Sequence, residues 1–291
     1  MDAWLRTVLA TQDDLVAVWQ LRRSGWSEPM IGHRVVNQGW TRIHSGVWKV
    51  NQAPLTQRQR WIAAILTAPG TFLDAQSACA CHGFLDWAGS YETVVRAGSG
   101  GPRRYPGLVV SRSTTLAGET TRRDGLPVVV AERALLDVAA SLNTAQRGRA
   151  FREACRLKVT TANDIARILR GRRGSRSLVA LCDRYATIPY HRCRSDAESR
   201  ALEVLHDAGV APPLVNVRVA GLEADLVWRA RRLIVEIDSR EFHPFGQDDA
   251  DKTERWQGAG YTVRRVMAAD VYHRPAVLLA AAVSNVPFQS L

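Results

Sequence analysis

Lysine is nearly absent from this 291-residue chain: of 39 basic residues 36 are arginine, and only Lys49, Lys158 and Lys252 are lysine. Chemistry that needs a basic side chain able to give up its proton therefore has few candidates, because arginine stays charged at ordinary pH. Long apolar runs are missing too. Acids and arginines interrupt the hydrophobic stretches of the first 25 residues, and no segment approaches the roughly 18 apolar residues of a membrane helix. The expectation is a cytoplasmic protein with no membrane partner. Cysteine is sparse: five residues (79, 81, 155, 182 and 193), an odd number without disulfide-like spacing, which fits a reducing compartment. Cys79, Cys81 and His82 lack a second ligand pair at structural-zinc spacing, so they read as a tightly packed small-residue helix rather than a metal site.

What is present is an uneven charge. Residues 1–190 carry 26 basic against 14 acidic side chains, whereas residues 191–291 carry 13 against 14. The surplus of +12 is N-terminal, and a polyanion such as DNA is the partner it suggests, since neutralising phosphates releases counterions. A length of 291 residues allows more than one domain with its own core.

Residues 1–52 read as a helical unit closed by a hairpin. Thr11 can cap a helix over 12–23, Gly25 breaks it, and Ser27 starts a second helix through "EPMIGHRVVNQG". The stretch "WTRIHSGVWKV" (40–50) then alternates around Ser45-Gly46 as a two-stranded wing. Helix, turn, helix, wing is the order of a winged helix-turn-helix, whose second helix enters the major groove. His33 and Arg34 fall on that helix, and Arg42 and Lys49 on the wing, as candidate DNA contacts. Residues 53–190 read as an α/β middle domain. It has helices over "LTQRQRWIAAILTA" and "DAQSACACHGFLDW", strands at "ETVVRA" and "GLVVSRS" around the basic turn "GSGGPRRYPG", and four later helical stretches. On "GWTRIHSGVWKV", "SACACHGF", "GLPVVVAERALLDVA" and "GRRGSRSL", residues 1 to about 185 resemble the AbiEi family, antitoxins of type IV toxin–antitoxin systems. That resemblance implies a winged-helix head that binds its own promoter, and a cognate toxin protein as a partner.

Residues 191–291 read as αβββαβ: a helix from Ser195, strands "LVNVRV", "EADLVW" and "RLIVEID", a helix over "DDADKTERWQGAG", the strand "YTVRRV", and a final helix from about Arg274. Ser195 and Glu198 have the spacing of a capping box. Asp225, Glu236 and Asp238 converge in this pattern, because strand positions two apart share a face. Three acids on one patch repel one another, a cost that cation binding offsets; Mg2+, or Mn2+, takes such hard oxygen ligands together with a substrate phosphate.

The order of elements, the eleven-residue spacing of Asp225 and Glu236, and the stretches "SDAES", "ADLVW", "LIVEID", "FGQDDADK" and "GYTVRRV" resemble the PD-(D/E)XK, or restriction-endonuclease-like, superfamily. The branch related to the very-short-patch-repair (Vsr) endonucleases is the more similar one. The resemblance implies that Asp225 and Glu236 hold Mg2+ at the scissile phosphate, with Glu198 as an auxiliary carboxylate. Where the superfamily has a lysine this chain has Asp238, followed by Ser239 where the branch has glycine. Lys252, near the start of the next helix and on a face shared with Asp249, can replace that lysine in orienting or activating water, or be an ordinary surface lysine. His243 is open to three roles: general base, metal ligand or packed ring. The resulting expectation is an α/β multidomain protein that binds DNA and hydrolyses phosphodiester bonds as a Mg2+-dependent endonuclease. The alternative is a transcriptional autoregulator or antitoxin whose nuclease-like domain is non-catalytic.

Overall fold

The computed structural model describes residues 3–86, 89–238 and 247–283, and is mixed α/β with several sheets. By internal contacts the chain divides into two compact units, residues 1–147 with 167–178 and residues 148–166 with 179–291. The expected boundary near 52 falls inside the first unit, and that near 190 inside the second.

The first unit begins with α1 (Ala3–Thr11), β1 (Leu15–Ala17), α2 (Val18–Arg23), α3 (Glu28–Asn37), β2 (Thr41–His44) and β3 (Val47–Lys49). The helix expected over 12–23 is corrected: Thr11 ends α1, and α2 starts only at Val18. Asp13 and Asp14 have left-handed backbone angles (φ 49° and 66°), and the Asp14 N–H closes back on Leu9 O at 2.9 Å. Short polar side chains tolerate this conformation, so these acids form a turn instead of a first helical turn. Ser27 precedes α3 in extended conformation, with Pro29 in the first turn. Gly46, at φ 72°, turns the expected hairpin. β1 joins it, so that β3 becomes the central strand of the order β1-β3-β2. Leu5, Leu9, Val16, Leu21, Trp26, Ile31 and Trp40 close one core.

Next come α4 (Gln57–Ile65), β4 (Thr71–Leu73), α5 (Ala75–His82), β5 (Glu92–Ala97), β6 (Arg103–Tyr105), β7 (Leu108–Ser113), β8 (Thr120–Arg123), β9 (Leu126–Val129) and α6 (Ala131–Ala139). Their strands form a six-stranded mixed sheet in the order β6-β7-β5-β4-β9-β8. The stretch read as a basic turn thus contains an edge strand, β6. Cys79, Cys81 and His82 are buried, and His82 donates its Nε2–H to Val129 O at 2.8 Å. The helices α7 (Thr144–Arg156), α8 (Ala162–Leu169) and α9 (Arg176–Tyr185) follow.

In the second unit α10 (Asp196–Asp207) precedes β10 (Leu214–Val219), β11 (Leu222–Trp228) and β12 (Leu233–Asp238), an antiparallel meander. The helix α11 (Gln247–Gly258) leads to β13 (Thr262–Met267), which pairs parallel to β12. The expected αβββαβ order is observed, with an additional short helix α12 (Ala268–His273) before α13 (Pro275–Val283). One face of the sheet packs Leu226, Leu233 and Val235 with Leu202 and Leu205 of α10 and Leu278 of α13. The other packs Val227 and Ile234 against Trp256 of α11.

A buried ionic network links α7 to α10 within this unit. Arg152 reaches Asp196 through Nε at 2.8 Å and Nη2 at 3.1 Å, and Glu203 through Nη1 at 3.1 Å. Tyr190 and Tyr272 donate to Glu203 and Asp196 at 2.9 and 2.6 Å, which satisfies the acids further. Removing the cation leaves the partly buried Asp196 without its ion-pair partner and Glu203 with Arg200 alone, at 2.9 Å. Arg152→Met is therefore expected to lower stability by about 3 kcal/mol in urea unfolding, the lower end of the range for breaking one side of a buried pair.

Candidate functional site

The alternation of β12 sets the position of the candidate acids. Leu233 and Val235 enter one core and Ile234 the other, so Glu236 follows on the side of Ile234 and α11. On β11, Leu226 and Val227 divide the same way, which puts Asp225 on that side as well. Asn216 has a left-handed backbone angle (φ 49°) within β10, where the β10–β11 register runs without a shift from Val215↔Leu226 to Val217↔Ala224, so Asp225 lies opposite Asn216.

The β11–β12 ladder runs from Trp228↔Leu233 to Leu226↔Val235. Beyond it, side chains take over the role of carbonyls: the Ile237 N–H donates to Asp225 Oδ2 at 2.8 Å, and the Asp225 N–H donates to Glu236 Oε1 at 2.9 Å. Each acid holds the other strand's backbone. The second oxygens, Asp225 Oδ1 and Glu236 Oε2, have no hydrogen-bond partner among the described residues. Two such hard oxygens, completed by water and a phosphate oxygen, are a donor set that Mg2+ or Mn2+ accepts.

Burial is the main cause that raises the carboxyl of Asp225 to about 6, with Glu198, Asp238 and Glu223 adding like charge against the Ile237 N–H. Glu236 is raised to about 7, again chiefly by burial and then by Asp225, while the Asp225 N–H, Arg265 and Lys252 oppose the rise. The half-buried Lys252 contributes the smallest of these opposing effects.

Of the three expected metal-binding acids, Asp238 is engaged in an ion pair. Asp238 pairs with Arg265, whose Nη1 lies 3.2 Å from Oδ2 and 3.4 Å from Oδ1. Among the described residues no group of three or more His, Cys, Asp or Glu side chains is arranged to hold a metal ion. The reason is the parallel register of β12 with β13: it sets Arg265 beside Glu236 and one step from Asp238, and a cation at that distance captures the outer acid. Arg265 also donates to Thr253 Oγ1 of α11 at 3.3 Å. Arg265 was not among the expected site residues; the signal for it lies in the register of "YTVRRV" against "LIVEID". Glu198 is a capping residue. Its N–H donates to Ser195 Oγ at 3.1 Å, and its carboxylate accepts from the Arg194 N–H at 2.9 Å and from Asn216 Nδ2 at 2.7 Å. It acts on the pair through charge and holds the side chain of Asn216, the residue opposite Asp225. His243 and the side chain of Asp249 lie outside the described residues.

In the first unit His33 and Arg42 are exposed, and the Arg34 guanidinium lies 5.7 Å from the centre of the Trp26 ring. Lys49 does not fit its expected role. It is 2% exposed, and Nζ donates to the backbone carbonyls of Ala53 and, at 3.3 Å, Pro54. Placed on the central strand between β1 and β2, it fastens the following loop and presents no charge to a ligand.

A proton-linked prediction follows from the paired acids. Both fold with carboxyl values above the ordinary 3.8 and 4.5, so the folded state binds protons more tightly, and stability falls as pH rises through about 6 and 7. Asp225→Asn and Glu236→Gln keep the backbone acceptor and remove the charge. In metal-free thermal unfolding each is expected to equal wild type near pH 4 and exceed it at pH 8, by on the order of 1–3 kcal/mol. Equal wild-type and variant stability across that range would remove the assignment of the strain to these carboxyls.

No family model matches the chain, and no curated protein matches it either.

Proposed function

We propose that this is a DNA-binding protein whose second unit hydrolyses phosphodiester bonds with a divalent metal ion, Mg2+ or Mn2+. The observation that carries the proposal is the reciprocal bond between Asp225 and Glu236 and the two backbones, which fixes one oxygen of each acid and presents the other. The sheet with α10 on one side and α11 on the other supports a restriction-endonuclease-like core, and the order α1-β1-α2-α3-β2-β3 supports a winged helix-turn-helix in the first unit. In that fold α3 reads the major groove, with His33 and Arg34 on it and Arg42 on the wing against the backbone.

Asp225 and Glu236 are the residues that would hold the metal, and they must be ionised to do so, which favours neutral to alkaline pH. When bound, the metal makes a water easier to deprotonate and stabilises charge developing on the phosphate. Lys252 adds a compact positive charge that acts on Glu236. Arg265 is a fixed cation that limits the repulsion of the acids, with Asp238 holding its guanidinium in place.

The second reading is a transcriptional autoregulator or antitoxin with a non-catalytic nuclease-like domain and a toxin protein as partner. The observation that favours it is Asp238 being committed to Arg265, which leaves two acids rather than three.

Cutting of supercoiled, linear and single-stranded DNA with Mg2+ or Mn2+ distinguishes the two. The wild type is expected to cut, and Asp225→Ala and Glu236→Ala to lose about 100-fold or more, the scale of removing a metal-ligand function, with duplex binding retained. Metal-independent cutting unchanged in both variants would remove the metal role of Asp225 and Glu236, and no cutting with intact and unchanged duplex binding would sink the nuclease reading and leave the regulator.

A further inference from the structure

The first unit contains a cleft of about 630 Å3 lined by Arg133, Arg147, Arg172 and Arg173, with Thr115 and Ser177 adding hydroxyls. Two of these arginines build its frame. Arg133 donates to Glu119 Oε2 at 2.8 Å, to Thr115 Oγ1 at 3.1 Å and to Asp137, while Arg172 takes the other oxygen of Glu119. The remaining two have no carboxylate partner among the described residues. Arg147 is half-buried and bonded only to carbonyls, Ala139 O at 2.9 and 3.2 Å and Leu142 O at 2.9 Å. Arg173 is exposed, in a turn bounded by Gly171 and Gly174 at φ 82° and 83°.

Four cations against Glu119 and Asp137 leave a surplus of two positive charges around this cleft. Behind Asp137, Asp74 adds no compensating charge at neutral pH: burial first, and then Asp137, raise its carboxyl to about 8. A double positive surplus at one cleft is matched by a dianion. Arginine forks can grip two oxygens of a tetrahedral phosphoryl group at once, and that group carries about −1.5 to −2 at pH 7. Leu136, Ala139 and Ala140 give the same cleft an apolar wall.

We propose that this cleft binds a small phosphomonoester, with Arg147, Arg172 and Arg173 holding the phosphoryl group and the Leu136–Ala140 wall receiving an apolar or planar body. The site is independent of the Asp225–Glu236 pair and adds a second ligand to the chain.

The test is thermal unfolding and calorimetric titration of the full chain with adenosine monophosphate, inorganic phosphate and adenosine, and with a short DNA duplex as a competing source of phosphate. Adenosine monophosphate is expected to raise the unfolding temperature and to bind more tightly than inorganic phosphate, with adenosine inert. Arg173→Gln keeps the Glu119 frame intact and is expected to weaken adenosine monophosphate about tenfold, the loss of one charge-assisted contact at ~1.4 kcal/mol. Arg172→Gln with Arg173→Gln weakens it further. Equal binding by wild type and Arg173→Gln, no binding of either phosphate probe, or an arginine-dependent effect confined to the duplex would each overturn the proposal.

Discussion

Where β11 and β12 part, the sheet has to satisfy backbone N–H groups without a neighbouring carbonyl, and it does so with carboxylates. Asp225 accepts from Ile237, and Glu236 accepts from Asp225, at 2.8 and 2.9 Å. The exchange lets the strands separate without stranding a buried donor, which would cost about 1–3 kcal/mol. It also fixes the two acids at the opening in one rotamer each. The same burial that makes the bonds effective raises both carboxyls above their ordinary range. Position, spacing and proton affinity of the pair thus share one cause.

The neighbouring groups follow from that arrangement. A carboxylate pair under mutual repulsion draws in cations, and the parallel register supplies Arg265 directly beside Glu236. Asp238 then serves to hold the arginine, so the three acids of the strands divide into a pair with open oxygens and a partner for a cation. On the other side, Asn216, left-handed at φ 49°, lies opposite Asp225, and Glu198 accepts from its Nδ2 while closing the first turn of α10. Glu198 therefore shapes the opening from behind, at the end of a helix whose apolar face is in the core.

The second unit was readable from sequence because its signals are local. Ser195 and Glu198 cap a helix, "LIVEID" is a buried strand with acids at its end, and the spacing of Asp225 and Glu236 across a meander brings them together. The first unit misled where a distant strand decides. In "WTRIHSGVWKV" the hairpin is legible, yet only pairing with β1, some thirty residues earlier, makes β3 central and buries Lys49. Nothing in the alternation of two strands reveals a third. Asp13 and Asp14 show the complementary failure: acids before an apolar stretch suit a helix start, and the same short side chains suit a left-handed turn. The bonds between Asp225 and Glu236 were illegible for a further reason, since a carboxylate accepting from the opposite strand's backbone depends on where the ladder ends.

The basic surplus of the N-terminal residues also divides once its partners are known. Arg22 is paired with Glu28, Arg58 lies 3.2 Å from Asp13, and Arg133 and Arg172 share Glu119. These arginines support packing and contribute little to a long-range attraction for DNA, because each is compensated at contact distance. Exposed Arg42 and Arg173, and Arg147 with only carbonyls around it, remain uncompensated by any carboxylate among the described residues. Net charge of a region therefore overstates the field a ligand meets and hides where that field is strongest. A ligand is drawn to the places where the fold leaves a cation unpaired; in the first unit the hairpin, the edge strand β6 with its exposed Arg103 and Arg104, and the arginine-lined cleft are among them.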